Sequence, residues 1–187
     1  MFWKQGCMTH RSPEAPNRRE PEVSSPLVYL AGPLFSKAER RYNLHLTERL
    51  EASGFRIFLP QRDGVQRETS PYDAMTPDRR RQAMFRLDRQ QLLDCDVFLF
   101  VPDGRVPDEG ACVELGIAYC QKYLQGGEKL LLGLHTDTRA AFIGSRLNPM
   151  VRVALDRIVD DEEALSRVLA QNGTQQQPVE ERSDERT

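Results

Sequence analysis

Residues 96–118 decide the fold. They open with Asp96-Val97-Phe98-Leu99-Phe100-Val101, pass through Pro102 to Pro107, and continue as Asp108-Glu109-Gly110-Ala111-Cys112-Val113-Glu114-Leu115-Gly116-Ile117-Ala118. A short continuous apolar run, a Pro- and Gly-containing loop and an apolar helix make one strand–loop–helix unit. The strand shows no polar alternation, which marks it as covered on both faces, as in a parallel sheet. On helical spacing Glu114 shares a face with Ala111, Leu115 and Ala118, the side that packs inward. An ionised carboxylate there is costly unless it is paired, hydrogen-bonded or used.

Working outward, the same unit recurs. Leu27-Val28-Tyr29-Leu30-Ala31 is an apolar strand closed by Gly32-Pro33. Ser36 to Ser53 is helical, with Tyr42, Leu46 and Leu50 on one face, Ser36 and Glu39 at capping-box spacing, and Gly54 as the stop. Phe55 to Leu59 is a second strand. Pro60 to Met75 has no periodicity and reads as a long binding loop or a mobile segment. Thr76-Pro77-Asp78 opens a helix to about Leu93. Its stripe Met84, Leu87, Gln91, Leu92, Cys95 carries a second anomalous acid, Asp88. Lys129 to Leu134 is a fourth strand and Asp156 to Val159 a short fifth, with Phe142 to Met150 as loop. A helix from Asp161 to Leu169 closes the domain.

Strands alternating with helices predict an α/β fold: a doubly wound, flavodoxin-like, five-stranded parallel sheet with helices on both faces. In such sheets ligands sit beyond the carboxyl ends of the strands. Tyr29 to Phe35, Gln61 to Gly64 and Val101 to Glu114 all fall there. The domain is expected to span residues 27–170. The stretches 1–26 and 171–187 are rich in Pro, Arg, Glu, Gln and Ser, cannot bury enough apolar surface to offset chain entropy, and are expected to be disordered tails.

Charge and composition exclude several function classes. The net charge of −2 offers no basic field for a nucleic acid polymer. Arg79-Arg80-Arg81 reads as the solvated start of a helix. No stretch approaches the length of a membrane span, and no signal-peptide pattern is present, so no membrane is expected. Cys7, Cys95, Cys112 and Cys120 lack CxxC spacing and read as reduced thiols of a cytoplasmic protein. His10, His45 and His135 have no ligand spacing, so no metal is expected. GxGxxG and GxxxxGK are absent, which disfavours dinucleotide and P-loop readings.

The ordered series Tyr29-Leu30-Ala31-Gly32-Pro33-Leu34-Phe35, Asp88, Asp94-Cys95-Asp96, Asp108-Glu109-Gly110, Glu114-Leu115-Gly116 and Asn148-Pro149-Met150 resembles the nucleoside 2-deoxyribosyltransferase family from about Val28 to Met150. The resemblance implies that Glu114 is the nucleophile toward C1′ of a 2-deoxyribosyl group and that Tyr29 orients it. It implies that Asp88 and Asp108 hold the base or sugar and help protonate the leaving base. It places Gly32 and Phe35 in the substrate-binding first loop and Gln61, Arg62 and Asp63 in the loop that contacts the base. Asn148 and Met150 would serve a neighbouring chain's site, which implies a homo-oligomer, dimer or hexamer. The partners are then a deoxynucleoside and a free nucleobase, with no cofactor. Asp108 stands where phosphate-binding relatives carry a Ser, and a carboxylate repels phosphate, so nucleosides are favoured over nucleotides. Tyr123 is the last Tyr in the chain, so an aromatic C-terminal contact found in some members is missing or replaced. An N-glycoside hydrolase and a non-catalytic nucleoside-binding module are the alternative readings.

Overall fold

A computed structural model of the chain describes residues 25–104, 106–137 and 147–175. Nearly all of the 1–26 stretch, part of the 142–150 loop, and the end of the chain from 176 lie outside the described residues. The described chain runs β1 (Leu27–Ala31), α1 (Lys37–Ala52), β2 (Arg56–Phe58), α2 (Pro60–Asp63), α3 (Pro77–Asp94), β3 (Val97–Phe100), α4 (Glu109–Tyr119), a π-helical continuation (Cys120–Leu124), β4 (Leu130–Leu134), α5 (Pro149–Ala154), β5 (Arg157–Val159) and α6 (Glu162–Gln175). All strand pairs are parallel, in the order β2-β1-β3-β4-β5. This is the expected doubly wound sheet. The order reverses between β1 and β3, which opens a crevice beyond their carboxyl ends.

Period-two alternation sorts the strand residues onto the two faces. Val28, Leu30, Val97, Leu99, Leu132 and Leu134 meet Leu46 and Leu50 of α1 and Leu165, Val168 and Leu169 of α6. Tyr29, Ala31, Phe58, Phe98, Phe100 and Leu131 meet Leu92 of α3, Ala111, Leu115 and Ala118 of α4, and Val151 of α5. The buried residues of the first face are all aliphatic, whereas the second adds four aromatic rings, Tyr29, Phe58, Phe98 and Phe100. Tyr29 is fully buried and stacks between Phe58 and Phe98, with ring centroids 5.4 and 6.0 Å away.

Two glycines permit close approach. A Cβ at Gly32 would stand 3.0 Å from Val101 Cβ, where the ends of β1 and β3 converge. One at Gly133 would stand 2.9 Å from Leu155 Cδ1, under α5. The capping box of α1 is formed: Ser36 Oγ accepts from Glu39 N, and Glu39 Oε2 accepts from Ser36 N. Thr76 caps α3.

The structure differs from the sequence reading in three places. The segment after β2 begins as a helical turn, α2, because the Asp63 carboxylate accepts from Leu59 N at 2.8 Å and closes the turn locally. The expected loop before β5 ends in α5, started by Asn148, whose side chain accepts from Met150 N at 2.9 Å. The last helix runs past Ala170 to Gln175. Arg80 holds the 65–76 loop to α3 through the carbonyls of Tyr72 and Met75. Among the described residues no helix is long and apolar enough to cross a membrane.

Candidate active site

The crevice at the β1/β3 reversal is a cleft of about 330 Å³. The end of β1 and its loop contribute Ala31, Gly32, Leu34 and Arg40; the segment after β2 contributes Pro60, Gln61, Gly64, Val65 and Gln66; α3 contributes Met84 and Asp88; and α4 contributes Asp108, Gly110 and Glu114. Three carboxylates and one guanidinium thus share one small space.

Glu114 is held from beneath. Tyr29 Oη donates to Glu114 Oε1 at 2.7 Å across 85 residues of sequence. The tyrosine sits in mid-strand between two aromatic rings, so its hydroxyl has little freedom. The other carboxylate oxygen of Glu114 accepts no hydrogen bond among the described residues. Burial raises the Glu114 pKa to about 7; the Tyr29 hydrogen bond pulls it down, and the charges of Asp88 and Asp108 push it up. The Tyr29 phenol is itself raised, by burial first and then by the charge on Glu114, so it remains a donor.

Asp88 Oδ1 is buried and has no hydrogen-bond partner among the described residues. Burial raises the pKa of Asp88 to about 6. A carboxyl group left unsatisfied beside a second elevated carboxyl favours a neutral acid next to an anion, the division needed for proton donation beside nucleophilic attack. Asp108 is the N-cap of α4, with Oδ2 accepting from Ala111 N at 2.7 Å, and it also lines the cleft. Gly110 leaves room for it, since a Cβ there would come within 3.1 Å of Asp108 Oδ2.

The other sequence candidates divide. Gly32 and Gln61 line the cleft, but the Gln61 side-chain amide is spent inside the protein: Oε1 accepts from Asn43 Nδ2 at 3.1 Å, and Nε2 donates to Arg40 O at 2.8 Å. Arg62 and Asp63 stand outside the cleft. Arg62 bonds Glu51, Asp63 and the Ile57 carbonyl, and Asp63 closes α2. Phe35 is exposed, and its backbone N–H goes to Glu39. Asn148 and Met150 are exposed on α5 and do not line this chain's own cleft. Arg40, Asn43, Val65 and Gln66 were not singled out from the sequence. Asn43 had a signal: it falls on the apolar stripe of α1 with Leu46, Thr47 and Leu50, the same anomaly that marks Glu114. Among the described residues no group of three or more His, Cys, Asp or Glu could hold a metal ion.

Comparison with known proteins bears on the whole domain. The family model for nucleoside 2-deoxyribosyltransferase matches residues 28–175. Among solved structures, a conserved protein from Enterococcus faecalis is similar over 79% of this chain and 99% of its own, at 25% identity and a TM-score of 0.61. A 2-deoxyribosyltransferase from Bacillus psychrosaccharolyticus shares the fold over 75% of this chain and 90% of its own, at 18% identity and a TM-score of 0.60. One from Leishmania mexicana does so over 78% and 97%, at 19% identity and a TM-score of 0.50. No curated protein matches the chain.

Proposed function

Because the chain belongs to the nucleoside 2-deoxyribosyltransferase family, we propose that it transfers a 2-deoxyribosyl group between nucleobases through a covalent intermediate on Glu114. The observation that carries this reading is the buried Glu114 carboxylate, fixed by Tyr29 Oη at 2.7 Å in a cleft that also holds the unpartnered carboxyl of Asp88.

In the first half-reaction a Glu114 oxygen attacks C1′. The C1′–N bond breaks, and its electron pair leaves with the base. Asp88, whose pKa burial raises to about 6, gives its proton to the departing ring nitrogen from the form of the coupled pair in which it carries the proton and Glu114 is ionised. The transition state has oxocarbenium character, and the nearby Glu114 anion stabilises it. In the second half-reaction an acceptor base attacks C1′ from the vacated face, its proton passes to Asp88, and Glu114 is released. Two inversions give net retention. Tyr29 limits the freedom of the nucleophile. Asp108, with one oxygen committed to the helix cap, holds a sugar hydroxyl or the base edge. Asn148 and Met150, exposed on α5, would complete a neighbouring copy's cleft in a homo-oligomer, with Asn148 meeting the sugar 5′-hydroxyl.

Incubation with a 2′-deoxynucleoside, with and without a second free base, tests the reading. Base exchange outpacing sugar release supports transfer. Release of free deoxyribose regardless of acceptor identifies water as the acceptor and makes the protein an N-glycoside hydrolase. A slow-leaving 2′-fluorinated nucleoside should label Glu114, and label on another side chain overturns the assignment.

A further inference from the structure

We infer that Asn43, which does not line the cleft, is a positioning residue that sets the spacing of two cleft walls through Gln61. This deepens the proposed function and rests on it only for its kinetic arm.

Asn43 is a polar side chain on the packed face of α1 with 2% of its surface exposed. Its Nδ2 donates twice, to Pro33 O at 3.0 Å and to Gln61 Oε1 at 3.1 Å. Pro33 lies between Gly32 and Leu34, both in the first cleft wall, and Gln61 belongs to the second. One buried amide therefore ties the loop after β1 to the segment after β2.

The tie is part of a closed network. Gln61 Nε2 donates to Arg40 O at 2.8 Å, and Arg40 Nη1 donates back to Leu34 O at 3.1 Å and Phe35 O at 3.3 Å. Gln66 Nε2 donates to Gln61 O at 3.2 Å, bringing in the next cleft-lining segment. Every partner is a backbone carbonyl or the Gln61 amide, so the network fixes main-chain positions. A buried donor with two acceptors gains little over water in net terms, but its loss strands both acceptors. A residue that merely filled space on this face would be a leucine. A donor at this point serves the separation of the two walls.

A consequence is that Gln61 acts by shape and not by recognition. Both ends of its amide are occupied, so it presents the substrate with a fixed surface. Changing Asn43 should then alter substrate affinity while leaving the reacting groups, Glu114, Tyr29 and Asp88, in place.

The test is a cycle of Asn43→Leu, Gln61→Leu and the double variant in the full-length protein. Leucine keeps the branched outline of Asn43, with bulkier methyl groups, and removes both donors. In steady-state exchange with 2′-deoxynucleosides, each single variant should raise KM about tenfold with kcat within about threefold, and the double variant should be no worse than the poorer single. KM unchanged in the singles, or effects that multiply in the double, overturns the inference. A second measurement needs no substrate. Hydrogen exchange in the free protein should quicken together in residues 32–36 and 59–66 of Asn43→Leu, with the sheet strands unaffected. Acceleration in neither segment, or equally throughout the domain, overturns it as well. Gln61 is only partly buried, so Gln61→Leu gives the same reading if Asn43→Leu does not fold. An inactive wild type would sink the proposed function and leave the exchange experiment decisive here.

Discussion

Buried ionisable side chains at the two ends of the sheet are treated in opposite ways. At the amino end, Lys129 is 5% exposed, and its Nζ donates to Leu92 O and Cys95 O at 2.6 Å each and to Cys95 Sγ at 3.1 Å. Its three donors all find acceptors, and they cap the carbonyls that α3 leaves open at its end. At the carboxyl end, Asp88 has a buried oxygen with no partner among the described residues, and Glu114 has a single hydrogen bond among them. Lys129 is a polar group satisfied for structure. The two acids are buried with few partners, and that burial raises both pKa values toward neutral pH. Degree of satisfaction, more than burial, separates a structural charge from a chemical one.

Substitution can break this contrast. The largest effect is expected from Glu114→Gln. Exchange should fall by at least about 10³-fold, because the change removes the proposed nucleophile. The same change should raise stability. Glu114 has its folded pKa raised from 4.5 to about 7, so the folded state binds more protons than the unfolded state between those values. Stability therefore falls as pH rises through that window, and a neutral amide escapes the loss. At pH 8 the gain should be on the order of 2–3 kcal/mol, read by urea unfolding. A less stable Glu114→Gln would show that the carboxylate is satisfied after all.

Lys129→Met should do the reverse. Stranding the Leu92 and Cys95 carbonyls should cost roughly 2–4 kcal/mol of stability while the exchange rate per folded molecule stays at the wild-type level. Lost activity without lost stability would mean that the two ends are coupled.

Tyr29→Phe sharpens the description of the nucleophile. Removing the hydroxyl should slow exchange about ten- to a hundredfold, and it removes the one hydrogen bond that lowers the Glu114 pKa. The acid limb of the pH profile should therefore move upward. In the wild type that profile of kcat/KM should be bell-shaped with its maximum between about pH 6 and 7. Activity is lost below as Glu114 protonates and above as the pair gives up its shared proton, so the apparent values belong to both acids together. A rate flat from pH 5 to 9 would remove Asp88 from the proton transfer.

Much of this was legible in the sequence because local pattern carried it. The strands were continuous apolar runs, α1 announced itself with Ser36 and Glu39, and Glu114 and Asp88 stood out as acids on stripes of Ala, Leu and Met. What escaped notice depended on distant partners. Lys129 reads as an ordinary strand-edge lysine, since its acceptors lie 34 and 37 residues away. Gln61 reads as a base contact until Asn43 and Arg40 are seen to occupy its amide. The turn of α2 hinges on an Asp63–Leu59 bond that has no periodic signature. The Cys120–Leu124 segment continues the α4 helix with π geometry, and apolar periodicity gives no sign of that change.

The seating of Tyr29 in the middle of β1 has a corollary. The group that aims the proposed nucleophile is anchored in the buried sheet, while the 60–76 segment that walls the cleft is tied down by a few side-chain hydrogen bonds. Substitution in that rim is therefore expected to reshape the cleft while the Tyr29–Glu114 pair beneath stays in place.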